Sequence, residues 1–140
     1  MTHRFVEAAQ QVGFSFTPDY NGAQQEGVGY SQMTRRGRFR GSTAQTYLRS
    51  ARSNPKLQVV TDAQVGTLMF EGRKCVGVSY RRGEQMKEIR ATKEVVLCGG
   101  AYNSPHLLQV SGIGPASHLK EIGVEVLHDL PGVGSNLADH

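Results

Sequence analysis

The chain has 140 residues, about the length of one domain, with 16 Lys+Arg against 12 Asp+Glu and a formal charge of +4. The excess is mild and clusters only at Arg35-Arg36-Gly37-Arg38-Phe39-Arg40, and aromatic residues reach just 7% with no Trp. This excludes the dense basic stripe and the stacking platform of nucleic-acid binders. No apolar run approaches the roughly 18–20 residues of a membrane span, and the N-terminus lacks a signal peptide's apolar core. Two cysteines, Cys75 and Cys98, cannot build a disulfide framework or a four-ligand zinc site, and a reducing, cytoplasmic compartment is expected. Glycine is the outlier: 17 residues, about 12% against a usual share of about 7%, which implies tight turns or backbone brought close to a ligand.

In chain order, Arg4 to Val12 reads as a short helix, with Phe5, Ala9 and Val12 on one face and Gly13 where a helix commonly stops. Thr17-Pro18-Asp19-Tyr20-Asn21-Gly22 is turn chemistry. Gly27 to Thr34 is predicted as an irregular strand and Arg35 to Gly41 as a basic loop. A second helix opens at Ser42, where Ser42 and Gln45 have capping-box spacing, and Asn54-Pro55 ends it. Leu57–Thr61 predicts a strand. Val65 to Thr92 predicts a three-stranded meander, with turns at Glu71-Gly72-Arg73 and Arg82-Gly83.

Glu94-Val95-Val96-Leu97-Cys98 is an apolar run, the pattern of a strand buried on both faces, in which Cys98 is a small buried residue. Gly99-Gly100 follows, and Ser104-Pro105 predicts a helix with Pro in its first turn, ended by Gly112. Pro115 to Ile122 predicts another helix closed by Gly123, and Val124–Leu127 a further strand. The chain then runs through Leu130-Pro131-Gly132-Val133-Gly134 to Asp139-His140 with no closing element, so a fragment of a longer protein is expected.

The sharpest chemical unit is a buried strand, then Gly99-Gly100-Ala101, then a helix. Small residues there let backbone approach a ligand, and the helix end offers N–H donors, an arrangement that suits nucleotides and flavins. A tight strand–helix turn without a ligand has the same pattern. No complete dinucleotide fingerprint exists: Ser117 and Leu137 stand where third glycines would follow Gly112-Ile113-Gly114 and Gly132-Val133-Gly134, and no Gly-Lys-Ser/Thr phosphate loop occurs. His3, His106, His118, His128 and His140 show no metal-ligand spacing, so no metal site is expected, and no residue qualifies as catalytic. Ser104 lacks the Gly-x-Ser-x-Gly surroundings of an activated nucleophile.

The stretch Gly100-Ala101-Tyr102-Asn103-Ser104-Pro105-His106-Leu107-Leu108-Gln109-Val110-Ser111-Gly112-Ile113-Gly114 resembles the second signature of the glucose–methanol–choline (GMC) oxidoreductases. Gly41-Ser42-Thr43-Ala44 with Tyr47-Leu48, Phe70-Glu71-Gly72 with Val76-Gly77-Val78, and Leu130-Pro131-Gly132-Val133-Gly134-Ser135-Asn136-Leu137-Ala138-Asp139-His140 are similar to further motifs of that family, in the order the family has them. The tone is closest to its choline-dehydrogenase-like alcohol dehydrogenases.

The resemblance implies an α/β fold, part of an FAD-binding Rossmann-like domain with an inserted antiparallel meander. Residues 1–41 would lie on the substrate-domain side and 42–140 in the FAD-binding domain. It implies FAD as cofactor and hydride transfer from a small-molecule alcohol to the flavin, with oxygen or a membrane quinone as electron acceptor and, for the latter, a place peripheral to the inner membrane. Val65 would meet the adenine ring through its backbone, Gly99, Gly100 and Ala101 would approach the FAD, and Asn136, Asp139 and His140 would lie near the flavin-domain core. The family's amino-terminal Gly-x-Gly-x-x-Gly and its late catalytic histidine are not in these 140 residues, so the chain alone is expected to be inactive. Unpaired edges of the buried strand predict self-association. The rival readings are a stand-alone non-catalytic nucleotide-binding or interaction module, and a nucleic-acid binder using Arg35–Arg40, which the weak basic patterning disfavours.

Overall fold

A computed structural model describes residues 1–139. The chain separates into two compact units, Met1–Gln58 and Val59–His140.

The first unit opens with α1 (Thr2–Gln11), whose Val6 is buried. Of the irregular strand expected over Gly27–Thr34 only one bridge forms, Phe16 with Val28. Buried Thr17 closes that loop, its Oγ1 donating to the Glu26 carbonyl at 2.8 Å. Gly29 fits there because a Cβ would stand 2.2 Å from the Thr17 carbonyl oxygen. The basic stretch expected as a loop is instead a minimal hairpin of β1 (Arg35–Arg36) and β2 (Phe39–Arg40), turned by Gly37 at φ +60°. The helix expected from Ser42 starts as a π-helical turn over Ala44–Leu48 and continues as α2 (Arg49–Ala51). Its capping box is incomplete: the Gln45 N–H lies 3.4 Å from Ser42 Oγ but 2.9 Å from the Ser42 carbonyl, which competes for it. Residues 57–61 form no strand, since no neighbouring strand supplies a ladder for them.

The second unit contains the predicted meander, β3 (Ala63–Glu71), β4 (Lys74–Arg82) and β5 (Gln85–Arg90), antiparallel in that order. Gly72 and Gly83 turn it at φ +59° and +60°, values that favour glycine. Gly77 in β4 lets β5 pair, since a Cβ would stand 2.3 Å from the Ile89 carbonyl oxygen. Leu68, Val76 and Tyr80 are the buried apolar residues of this sheet.

Residues 94–98 correct the expected doubly buried strand. They form no strand, with Val95 and Leu97 half-buried and Val96 and Cys98 exposed. A strand buried on both faces needs a sheet to join and layers to cover it, and none of the described residues pairs with this segment. Helix α3 spans Gly100–Val110, so it starts four residues before Ser104 and places Pro105 inside, not in the first turn. Gly112 (φ +86°) ends it. Next come β6 (Ile113–Gly114), α4 (Ala116–Glu121) and β7 (His128–Asp129). The strand expected at Val124–Leu127 lies further on, as β7, because the Leu127 and His128 amides both donate to the Gly112 carbonyl and set a parallel pairing of β7 with β6. Leu119 in α4 is fully buried, and Asp129 Oδ1 accepts from the Ala116 N–H at 2.9 Å, capping that helix.

The accessible surface is 11815 Å². A compact chain of this mass exposes about 7,100 Å², and two separately compact units of these lengths about 8,600 Å² together. Much apolar surface is therefore open, Phe5, Phe39, Tyr47, Val96 and Tyr102 included.

Candidate functional site

Helix α3 organises the second unit through its side chains. Ser104 Oγ accepts from the Gly99 N–H at 3.1 Å and seals the turn that enters the helix. At Gly99 a Cβ would lie 3.1 Å from Asn103 Cβ and 3.2 Å from the Ser104 nitrogen, so the turn closes tightly only on glycine. Gly100 needs glycine for its φ of +82° and not for space, since nothing lies within 4 Å of its would-be Cβ. Near the other end, Gln109 Nε2 donates to the Val133 carbonyl at 3.1 Å and holds the Gly132-Val133-Gly134 loop. Ser111 Oγ accepts from the Leu68 N–H at 2.9 Å and donates to the Leu107 carbonyl at 2.6 Å, tying β3 to the helix.

Two of the clefts beside α3 take in residues singled out in the sequence. The larger, about 850 Å³, has one wall from β3 (Ala63–Gly66) with Val78, a second from residues 95–99, and a third from Asn103, Ser104, Leu107 and Val110. Its lining is chiefly apolar with backbone polar groups at the glycines, and its size falls within the range of small-molecule sites. The β3–β4 register shifts at Gly66, between Val65 and Thr67. A bulge interrupts the ladder and turns backbone groups toward other partners. The smaller cleft, about 400 Å³, lies between α3 (Ala101, Tyr102, Pro105, His106, Gln109) and the loop Gly134–Ala138. His106 borders both.

The residues singled out in the sequence thus divide. Val65 and Gly99 share the larger cleft, while Ala101 and Asn136 share the smaller. Gly100 forms the first residue of the helix between them. Asn136 adopts φ +57°, a left-handed conformation that Asn tolerates better than most residues. Asp139 follows outside both linings, and His140 lies outside the described residues. Gln109 and Ser111, which fasten the flanking segments to α3, were not legible as site residues, because their partners lie 24 and 43 residues away. Among the described residues no group of three or more His, Cys, Asp or Glu could hold a metal ion, and no helix is long and apolar enough to cross a membrane.

Comparison with known proteins matches residues 1–140 to the family described as GMC oxidoreductase. Over 142 aligned residues the chain is 50% identical to the oxygen-dependent choline dehydrogenase of Pseudomonas syringae pv. tomato, covering 99% of this chain and 25% of that protein. Against the same-named protein of Chromohalobacter salexigens it is 49% identical, covering 97% and 25%. The chain therefore spans about a quarter of the length of these curated relatives. Among solved structures, an FAD-dependent oxidoreductase from Chaetomium thermophilum superposes with a TM-score of 0.81 at 29% identity, over 94% of this chain and 23% of that one. Pyridoxine 4-oxidase from Mesorbium loti gives 0.80 at 30%, over 93% and 26%. The mixed α/β fold is that of the corresponding part of such oxidoreductases.

Proposed function

Since the chain belongs to the GMC oxidoreductase family, we propose that it forms part of the FAD-binding portion of a longer, choline-dehydrogenase-like enzyme that oxidises the CH–OH group of a small alcohol. The single observation that carries this reading is the match over the whole chain to relatives four times its length. The open surface supports it too, because a self-contained nucleotide-binding module would bury its apolar faces, and here Val96 is 70% exposed. We assign residues 1–41 to the substrate side and 42–140 to the FAD-binding side of that enzyme.

The residues present fit the cofactor. The larger cleft offers an apolar slot beside the bulge at Val65–Gly66, suited to a planar adenine ring held through backbone groups. Gly99 and Gly100, without side chains, and the small Ala101 bring backbone to the start of an eleven-residue helix, whose first N–H groups favour phosphate oxygens. Asn136 and Asp139 stand on the loop that Gln109 fastens to the same helix, and we place these two, with His140, on the flavin-domain side. When bound, FAD would supply the two-electron acceptor that oxidation of an alcohol to a carbonyl requires. The chain's own contribution is to hold the cofactor and exclude water from the apolar slot, and the hydroxyl proton goes to a base we place beyond these residues. Choline is the substrate favoured by the names of the relatives, with oxygen as acceptor.

Sequencing the coding DNA on both sides of these codons tests the reading. A frame that continues upstream to Gly-x-Gly-x-x-Gly and downstream to a late His with a His or Asn partner supports it. Start and stop codons tightly flanking the chain would overturn it.

A further inference from the structure

Strand β3 is the outer strand of its sheet, so among the described residues one of its edges has no neighbouring strand. On it, the amide of Leu68 donates to Ser111 Oγ, 43 residues away and just past the end of α3. Leu68 is only 8% exposed, so without that oxygen its amide would be buried and unsatisfied. The same hydroxyl donates to the carbonyl of Leu107, one turn back in α3. A serine hydroxyl has one proton, and here it is committed to Leu107 while a lone pair serves Leu68. One oxygen atom therefore ties α3 to β3 at the end of the larger cleft: Leu107 lines that cleft from the helix, while Leu68 lies on β3 two residues past Gly66, the last β3 residue of the lining, and borders with Ser111 a separate cleft of about 360 Å³. Among the described residues no backbone ladder joins β3 to α3, and this hydroxyl is a polar bond that links them.

We propose that Ser111 is a positioning residue for the cofactor: its hydroxyl sets the distance between the Val65–Gly66 bulge and α3, and so the width of the slot that receives the adenosine half of FAD. This rests on the reading of the cleft given above. Ser111 lines neither the larger cleft nor the one beside Gly134–Ala138 and acts only through Leu68 and Leu107.

The test uses the protein of the complete reading frame, with Ser111→Ala and Ser111→Thr. FAD affinity is measured by titrating the flavin-free forms, and amide hydrogen exchange is followed over residues 63–71. Ser111→Ala should bind FAD about tenfold more weakly, the scale of one buried amide left unpaired. Exchange at Leu68 should accelerate in the same variant. Ser111→Thr, which keeps the oxygen, should restore both within about twofold. Equal FAD affinity of wild type and Ser111→Ala would overturn the proposal even if that variant melts earlier, because a merely structural serine would lower stability without changing affinity in the folded fraction. Failure of Ser111→Thr to rescue would overturn it as well. Wild-type protein that binds no FAD would instead defeat the functional reading itself.

Discussion

Two glycines close helices in the second unit with similar backbone angles but different surroundings, and they separate strain from crowding. Gly112 follows α3 at φ +86° and Gly123 follows α4 at φ +75°. A left-handed backbone costs a non-glycine residue about 1–2 kcal/mol, and alanine returns about 0.4–1 kcal/mol by restricting the unfolded chain. At Gly123 a Cβ meets nothing within 4 Å, so Gly123→Ala should cost about 1 kcal/mol. At Gly112 the Cβ would lie 2.6 Å from the Glu125 carbonyl oxygen and 3.1 Å from Leu127 Cβ. Forcing such atoms apart adds about 1–3 kcal/mol, for a total of about 2–4 kcal/mol. The displaced segment also carries the Leu127 and His128 amides, which bond the Gly112 carbonyl at 2.8 and 3.1 Å. Urea titration followed by far-ultraviolet circular dichroism measures both losses, and hydrogen exchange reads those two amides. Gly112→Ala should unfold at distinctly lower urea and expose both amides, while Gly123→Ala leaves them protected. Equal destabilisation, or the reverse order, would refute the reasoning that crowding by Glu125 adds to the backbone strain.

The remaining expectations concern packing, capping and the loop beside α3. Leu119→Ala empties a fully buried large side chain and should cost about 2–5 kcal/mol in the same titration. Asp129→Ala removes the acceptor for the Ala116 amide at 2.9 Å and should cost about 1 kcal/mol, whereas Asp129→Asn, which keeps an oxygen there, should cost less. Gln109→Ala frees the Val133 carbonyl and should speed hydrogen exchange over residues 133–138 while the meander exchanges as before. Acceleration spread evenly over the unit would contradict a local fastening by Gln109.

The meander was readable because its signals are local: β-branched alternation bounded by Glu71-Gly72-Arg73 and Arg82-Gly83 fixes both strands and turns within a few residues of each other. Helix ends marked by Gly112 and Gly123 were readable for the same reason. Residues 94–98 were misjudged because an apolar run reports the burial a strand seeks, and here the described residues contain no parallel neighbour to provide it. Pro105 points to a helix start at Ser104, whereas α3 begins at Gly100. The helix tolerates that proline in its second turn, with Ser104 Oγ holding the Gly99 amide at the entrance. The short β6–β7 pair was illegible, since two-residue strands have no periodicity and their pairing follows from the Gly112 carbonyl. In the candidate site, glycines at residues 99–100 and Asn136 stood out by conformational need, while Gln109 and Ser111 act only through distant partners.

We propose that these residues help hold FAD in a longer enzyme that oxidises an alcohol such as choline. The most direct measurement is anaerobic titration of the purified product of the complete reading frame with choline, following flavin absorbance. The account predicts that the protein carries FAD and that choline bleaches the oxidised flavin spectrum, with full colour returning on admission of oxygen. Protein that binds no flavin, or flavin that neither choline nor any other small alcohol reduces, would contradict it.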